Sequence, residues 1–122
     1  MDANALMMPA QFRIDLFGEI RELLGVFEPV VLPGVVQELT GLSRAKGNDG
    51  AAARLGLTLA GQCTVLEHTD SSMPVDDQVI TWAMKNRGMV VTNDRRVRDA
   101  LLAQGIGVIS MRKQKKLEIL RK

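Results

Sequence analysis

Four acidic residues far apart in the chain, Asp2, Glu38, Asp76 and Asp94, each stand near the point where an expected strand gives way to a helix. Residues 89–92, "MVVT", read as a buried strand that runs through Asn93 and Asp94 into Arg95, Arg96 and Arg98. Glu38 lies in the first turns of a helix after "VFEPVVL"; Asp76 and Asp77 open a helix after Pro74, behind the strand "CTVLEH"; Asp2 precedes Asn4 and a further helix. Taken singly, each acid is explained as a helix cap or as a charge favoured by the helix dipole. Together they ask for more, because Asp15, Glu19, Glu22, Asp99 and Glu118 fall instead on expected solvent faces. Carboxylates gathered at one place repel, and the site must take up protons or a cation. A hard divalent ion, Mg²⁺ or Mn²⁺, suits oxygen donors, whereas one His and one Cys offer no softer set. Such an ion activates water against a phosphodiester. The cations Arg95, Arg96, Arg98, Arg112 and Lys113 are then candidates for contacts to phosphate groups beside the acids.

The elements that must bring these acids together alternate. Apolar residues recur at helical spacing across residues 9–25, and short apolar strands are expected at 26–32, 63–68, 89–92 and 106–111. Between them, helices are expected from Pro33 through Leu42, over 51–61, from Pro74 to a close at Gly88, and from Asn93 or Asp94 to Gly105. Continuously apolar strands separated by helices predict a three-layer α/β/α domain with a mostly parallel central sheet. In such a sheet the loops leaving the strands collect along one edge, which is where ligands bind.

The ordered set of motifs resembles the PIN-domain ribonuclease family. "MDANAL" is similar to its opening Asp-x-Asn motif, "VVLPGVVQEL" to its second motif, and "VDDQVITWAMKNRGMVVTNDRRVRDAL" to its third and fourth. The resemblance implies a metal-dependent endoribonuclease leaving a 5′-phosphate and a 3′-hydroxyl. Asp2, Glu38, Asp76 and Asp94 would hold the metal, and Asn4 and Thr92 would orient them. Asp76 is preferred to Asp77 by its spacing to Ala83; adjacent helix positions point about 100° apart, so Asp77 remains a supporting acid. The likeness is to small archaeal and bacterial members, among them toxin ribonucleases with antitoxin partners and relatives of rRNA-processing factors, and it implies a homodimer. The family opens with a strand ahead of its first Asp. Only Met1 precedes Asp2 here, so that strand is expected to be truncated or missing. Two other readings stay open. One is a PIN fold serving RNA processing or protein interaction without catalysis; the other is an unrelated phosphotransfer domain of the receiver kind, for which Lys113 is badly placed.

Composition sets the outer limits. The chain has 122 residues, enough for one domain with a single core, expected over 1–111 with a basic tail at 112–122. Its net charge of +2 gives a weak overall field, and the cations are concentrated in the last residues, "RKQKKLEILRK", where a solvated, frayed helix is also a plausible reading. Aromatic residues are 3% with no Tyr, which argues against a base-stacking platform. No apolar run reaches the length of a membrane span, and the cytoplasm is the expected compartment. Cys63 reads as an inert core thiol and His68 as a packing or surface residue.

Overall fold

The structure, a computed structural model, describes residues 1–66 and 72–121. Helix α1 (Ala3–Phe12) is started by Asp2, whose Oδ1 accepts from the Ala5 amide at 2.8 Å. It ends at Arg13, whose φ of 54° turns the chain into the left-handed region. Asp15 then caps α2 (Leu16–Leu24) by accepting from Gly18 N at 3.1 Å. The single helix expected over 9–25 is therefore two. Phe12, Leu16 and Ile20 keep their spacing of four across the break, so periodicity reads straight through it, and Pro9 lies inside α1 rather than at the start of a helix.

Strand β1 (Val30–Val31) leads into α3 (Pro33–Leu42), with Pro in the first turn, where its missing N–H costs nothing. Helix α4 (Asn48–Ala60) starts at Asn48 rather than Ala51. Gly56 lets it lie close on α1: a Cβ there would sit 3.1 Å from the Leu6 carbonyl oxygen. After β2 (Thr64–Val65) the chain reaches α5 (Val75–Asn86), which closes at Arg87 in the left-handed region, one residue before the expected Gly88. The rest is β3 (Val90–Val91), α6 (Arg95–Ala103), β4 (Val108–Arg112) and β5 (Lys116–Leu120). The expected strand over 63–68 runs partly beyond the described residues, as does His68.

Strands β1 and β2 pair in parallel, as do β3 and β4, which matches the expected α/β class with its mostly parallel strands. Between the facing edges of β1 and β3 lies the chain start. The Met1 amino nitrogen donates to Val30 O at 2.9 Å, and Asp2 N donates to Val91 O at 3.4 Å. These two residues thus join the two strand groups, and they put Asp2 at the C-terminal ends of both. Leu6, Met8, Leu16, Ile20, Leu39, Leu101 and Ile109 form the centre of the core, each fully buried and each contributing about 1.5–3 kcal/mol.

The last residues differ from the frayed helix or tail that their charge suggests. Lys116–Leu120 pairs antiparallel with β4, Ile109 opposite Ile119 and Met111 opposite Leu117. The pattern "KLEIL" alternates, and Leu117 is buried while Lys116 is exposed, so a strand period lies beneath the basic composition. Lysine on an edge strand also discourages pairing with other chains.

Candidate active site

The first half of α1 with its cap Asp2, the second turn and end of α3, the first turn of α5 and the cap of α6 surround a cavity of about 220 Å³. Asp2, Glu38, Asp76 and Asp94 all line it, with Asn4 beside them and Ala3, Met7 and Leu42 as its apolar wall. Four acids from four separate segments of the chain therefore share one concave site, as the loop topology predicts.

Their environments differ. Asp2 is buried, with both oxygens engaged: Oδ1 by the Ala5 amide and Oδ2 by the Thr92 hydroxyl, which donates to it in a very short contact. Burial pushes its carboxyl up to about 6, against the pull of those two hydrogen bonds, and the charge of Asp76 adds to the rise. Glu38 is raised by burial and then by Asp76. Asp76 is raised by burial and by Asp94, with Arg96 opposing and Asp77 adding. Asp76 is thus the electrostatic hub, acting on Asp2 and Glu38 and feeling Asp94. Asp94 caps α6, with Oδ1 accepting from Arg96 N at 2.9 Å and Val97 N at 3.2 Å. None of the hydrogen bonds among the described residues occupies the carboxylates of Glu38 or Asp76.

Polar neighbours fix the frame. Thr92 is fully buried and its Oγ1, besides donating to Asp2, accepts from Asp94 N at 3.1 Å. Asn4 Oδ1 accepts from Asn93 N at 3.0 Å, and Ser110 Oγ donates to Asn93 Oδ1 at 3.1 Å. From the sequence Asn93 reads only as a possible start of α6, and Ser110 is not singled out, although it carries a readable signal as a polar residue within the apolar run "IGVISM". Behind the site, Gln78 Nε2 donates to Met73 O at 2.8 Å, and its Oε1 lies where a Cβ on Gly34 would meet it at 2.9 Å. Gly34 thereby permits the close approach of α3, which carries Glu38, to α5, which carries Asp76.

Asp77 is not part of the cavity wall. It accepts from Arg96 at 3.0 Å in an exposed ion pair that ties α5 to α6. Arg95 lies 3.7 Å from Asp99, Arg98 3.5 Å from Asp99, and Arg112 4.0 Å from Glu118. Lys113 is exposed at the turn between β4 and β5. Glu19, expected on a solvent face, accepts instead from the Leu117 amide at 2.8 Å.

Residues 1–114 match the family described as PIN like domain. The chain belongs to that family. It is 28% identical to "Ribonuclease VapC4" of Methanocaldococcus jannaschii, across 97% of this chain and 92% of that protein. Among solved structures it is similar to the PIN domain endonuclease Utp24, with a TM-score of 0.82 and 25% identity, covering 99% of this chain and 89% of the other. The PIN-like fold expected from the motifs is therefore the fold of this chain.

In this PIN-like domain the donor chemistry fits a hard cation. The available groups are four carboxylates, of which those of Glu38 and Asp76 accept no hydrogen bond among the described residues, and a divalent charge would relieve their repulsion. Among the described residues no three acids stand close enough together to ligate one ion directly. A small ion that keeps several of its waters and takes only one or two carboxylates meets that spacing.

Proposed function

We propose that the chain is a metal-dependent endoribonuclease. The observation that carries this reading is the convergence of Asp2, Glu38, Asp76 and Asp94 on one cavity, with Asp76 raised by burial and then by its acidic neighbours. Asp76, Glu38 and the free oxygen of Asp94 would hold Mg²⁺ or Mn²⁺ directly or through water, and Asp2 would complete the negative field. When bound, the ion supplies a water of lowered pKa and charge neutralisation at the scissile phosphate. The chain's own part is positional. Thr92 holds Asp2 and the start of α6 in register, Asn4 and Asn93 fix the neighbouring loop, and Met7 and Leu42 limit water on one side. Arg95, Arg96, Arg98, Arg112 and Lys113 would attract the polyanion, with Arg96 also holding Asp77. Its similarity to a ribonuclease and to an endonuclease supports RNA as substrate.

The partners proposed are RNA, a second copy of the chain and, by likeness to the archaeal ribonuclease, an antitoxin protein, all in the cytoplasm. A surface that would suit pairing lies beside α2. Val26 is fully exposed, and the stacked rings of Phe17 and Phe27, 6.4 Å apart, line a groove of about 470 Å³. Among the described residues no helix is long and apolar enough to cross a membrane.

A second reading, a PIN fold that binds without cutting, is favoured by one observation: both oxygens of Asp2 are already hydrogen-bonded. Incubation of a labelled single-stranded RNA with Mn²⁺ separates the two. Cleavage that is abolished by EDTA and by Asp94→Asn supports the nuclease; retained binding without any cleavage supports the second reading.

A further inference from the structure

Beyond the acid cavity, the most unusual feature is the hairpin joining β4 to β5. Its loop and flanks, Arg112, Lys113, Gln114, Lys115 and Lys116, are all exposed and hold four cations in five residues. Of these, only Arg112 has an acidic partner among the described residues. Lys113 and Gln114 both have positive φ, 53° and 58°, and Lys115 N closes the turn on Arg112 O at 3.1 Å. Glycine or asparagine adopts such a backbone with less strain than lysine or glutamine does. A turn chosen for stability alone would not place lysine at its tip.

Position gives the charge a purpose. Strand β4 runs parallel to β3, with Val91 opposite Ile109, and Thr92 N donates to Ile109 O at 3.0 Å. Both strands therefore end at the edge where the acids lie, and β4 continues past Ile109 to Arg112, about 10 Å farther at the rise of a strand. The hairpin stands over the acid edge, to one side of the cavity.

It is also held there. Leu117, next after Lys116, is buried, and its N–H points away from β4 into the Glu19 carboxylate at 2.8 Å. A charge-assisted bond of this kind anchors an edge strand whose amide would otherwise lack a partner. Glu19 sits in the first turn of α2, which Asp15 caps, so a rigid helix fixes the base of the arm.

We infer that the β4–β5 hairpin is an arm that binds the phosphate backbone of single-stranded RNA beside the acid cavity, with Glu19 as its positioning residue. The inference rests on the proposed nuclease reading for its ligand and adds Lys115, Lys116 and Glu19 to it. With few aromatic residues in the chain, the arm reads charge rather than bases, so its binding is indifferent to sequence and sensitive to salt.

The test is binding of a labelled oligouridylate of about 16 nucleotides, measured by fluorescence anisotropy in EDTA over a range of salt concentrations. Replacing Lys113, Lys115 and Lys116 together by Gln is expected to lower the slope of log K against log salt by about 2, since each phosphate contact on a single strand contributes about 0.7. Glu19→Ala is expected to reproduce part of that change, and Glu19→Gln, which keeps an acceptor for Leu117 N, to restore it. A Glu19 with only a structural role would lower the melting temperature of the Ala variant and leave the slope unmoved. An unchanged slope in the triple variant overturns the arm, as does a variant that keeps RNA binding but loses binding to anionic vesicles. Failure of the nuclease reading looks different. Hairpin-dependent RNA binding with no cleavage in Mn²⁺ keeps the arm and removes the nuclease, whereas cleavage with hairpin-independent binding does the reverse.

Discussion

Thr92 and Asp2, 90 positions apart in sequence, are joined by a hydrogen bond, and the same hydroxyl accepts from Asp94 N. One buried side chain thus connects the first acid of the cavity to the last. Replacing Thr92 by Val keeps its shape and removes both bonds, leaving Asp2 Oδ2 and the Asp94 amide without their partner. The expected loss of unfolding free energy is about 1–3 kcal/mol. Thr92→Ser, which keeps the hydroxyl, should recover most of it. Chemical denaturation of the two variants provides the comparison, and equal stability of Val and Ser variants would refute the link.

Asp94 has two separable duties, as the cap of α6 and as an acid of the cavity. Asn is about as good a cap as Asp, so Asp94→Asn should change stability by only a few tenths of a kcal/mol, while Asp94→Ala should cost about 1 kcal/mol. Both should lower RNA cleavage by at least roughly 100-fold, a loss comparable to removing one key electrostatic group. Denaturation curves and cleavage rates of the pair read the two duties independently. Should the Asn variant cut RNA at a normal rate, Asp94 serves only as a cap.

Much of this site was legible because its acids occupy positions that physical rules already mark. Asp94 before α6 and Asp76 behind Pro74 are readable as helix starts, and parallel strands bring helix starts to one edge. The motif order Asp2, Glu38, Asp76, Asp94 carried the fold. What escaped was whatever depends on contacts distant in sequence. Glu19 looks like any exposed helical acid until β5 comes to lie beside it, and β5 itself was hidden because six basic residues in the last eleven outweighed the alternation in "KLEIL". The break at Arg13 was hidden for a different reason: the apolar spacing continues across it, and only the left-handed residue and the Asp15 cap reveal it. Spacing to Ala83 favours Asp76 over Asp77 as the ligand, and what it cannot show is the Arg96 guanidinium that Asp77 engages instead.

The Asp77–Arg96 pair is exposed on both sides, 41% and 60%, and solvent screens it. Asp77→Asn should therefore cost no more than about 1 kcal/mol and should leave RNA cleavage close to that of the parent chain. Asp76→Asn, one residue away, should abolish cleavage. Rates for the two variants, measured side by side with Mn²⁺, assign the metal-facing position of α5. Equal losses in both would return Asp77 to the site.

Asp2 makes the stability of the metal-free protein depend on pH in an unusual direction. Its carboxyl is raised in the fold to about 6 from an ordinary 3.8, so the folded state holds a proton that the unfolded chain has released. The contribution is fully present below pH 3.8 and is lost as pH rises through about 6, by up to roughly 3 kcal/mol. Glu38 and Asp76 are shifted the same way and add in the same direction. In EDTA, the stability of Asp2→Asn relative to the parent chain should therefore increase between pH 4 and 7. Mn²⁺ should offset the loss in the parent above pH 6, where it replaces the proton, and should do less for the variant. Melting temperatures of both proteins across that range, with and without Mn²⁺, carry the test. A difference between them that stays flat with pH would show that Asp2 keeps its ordinary pKa in the fold, its burial being balanced by Thr92 and the Ala5 amide.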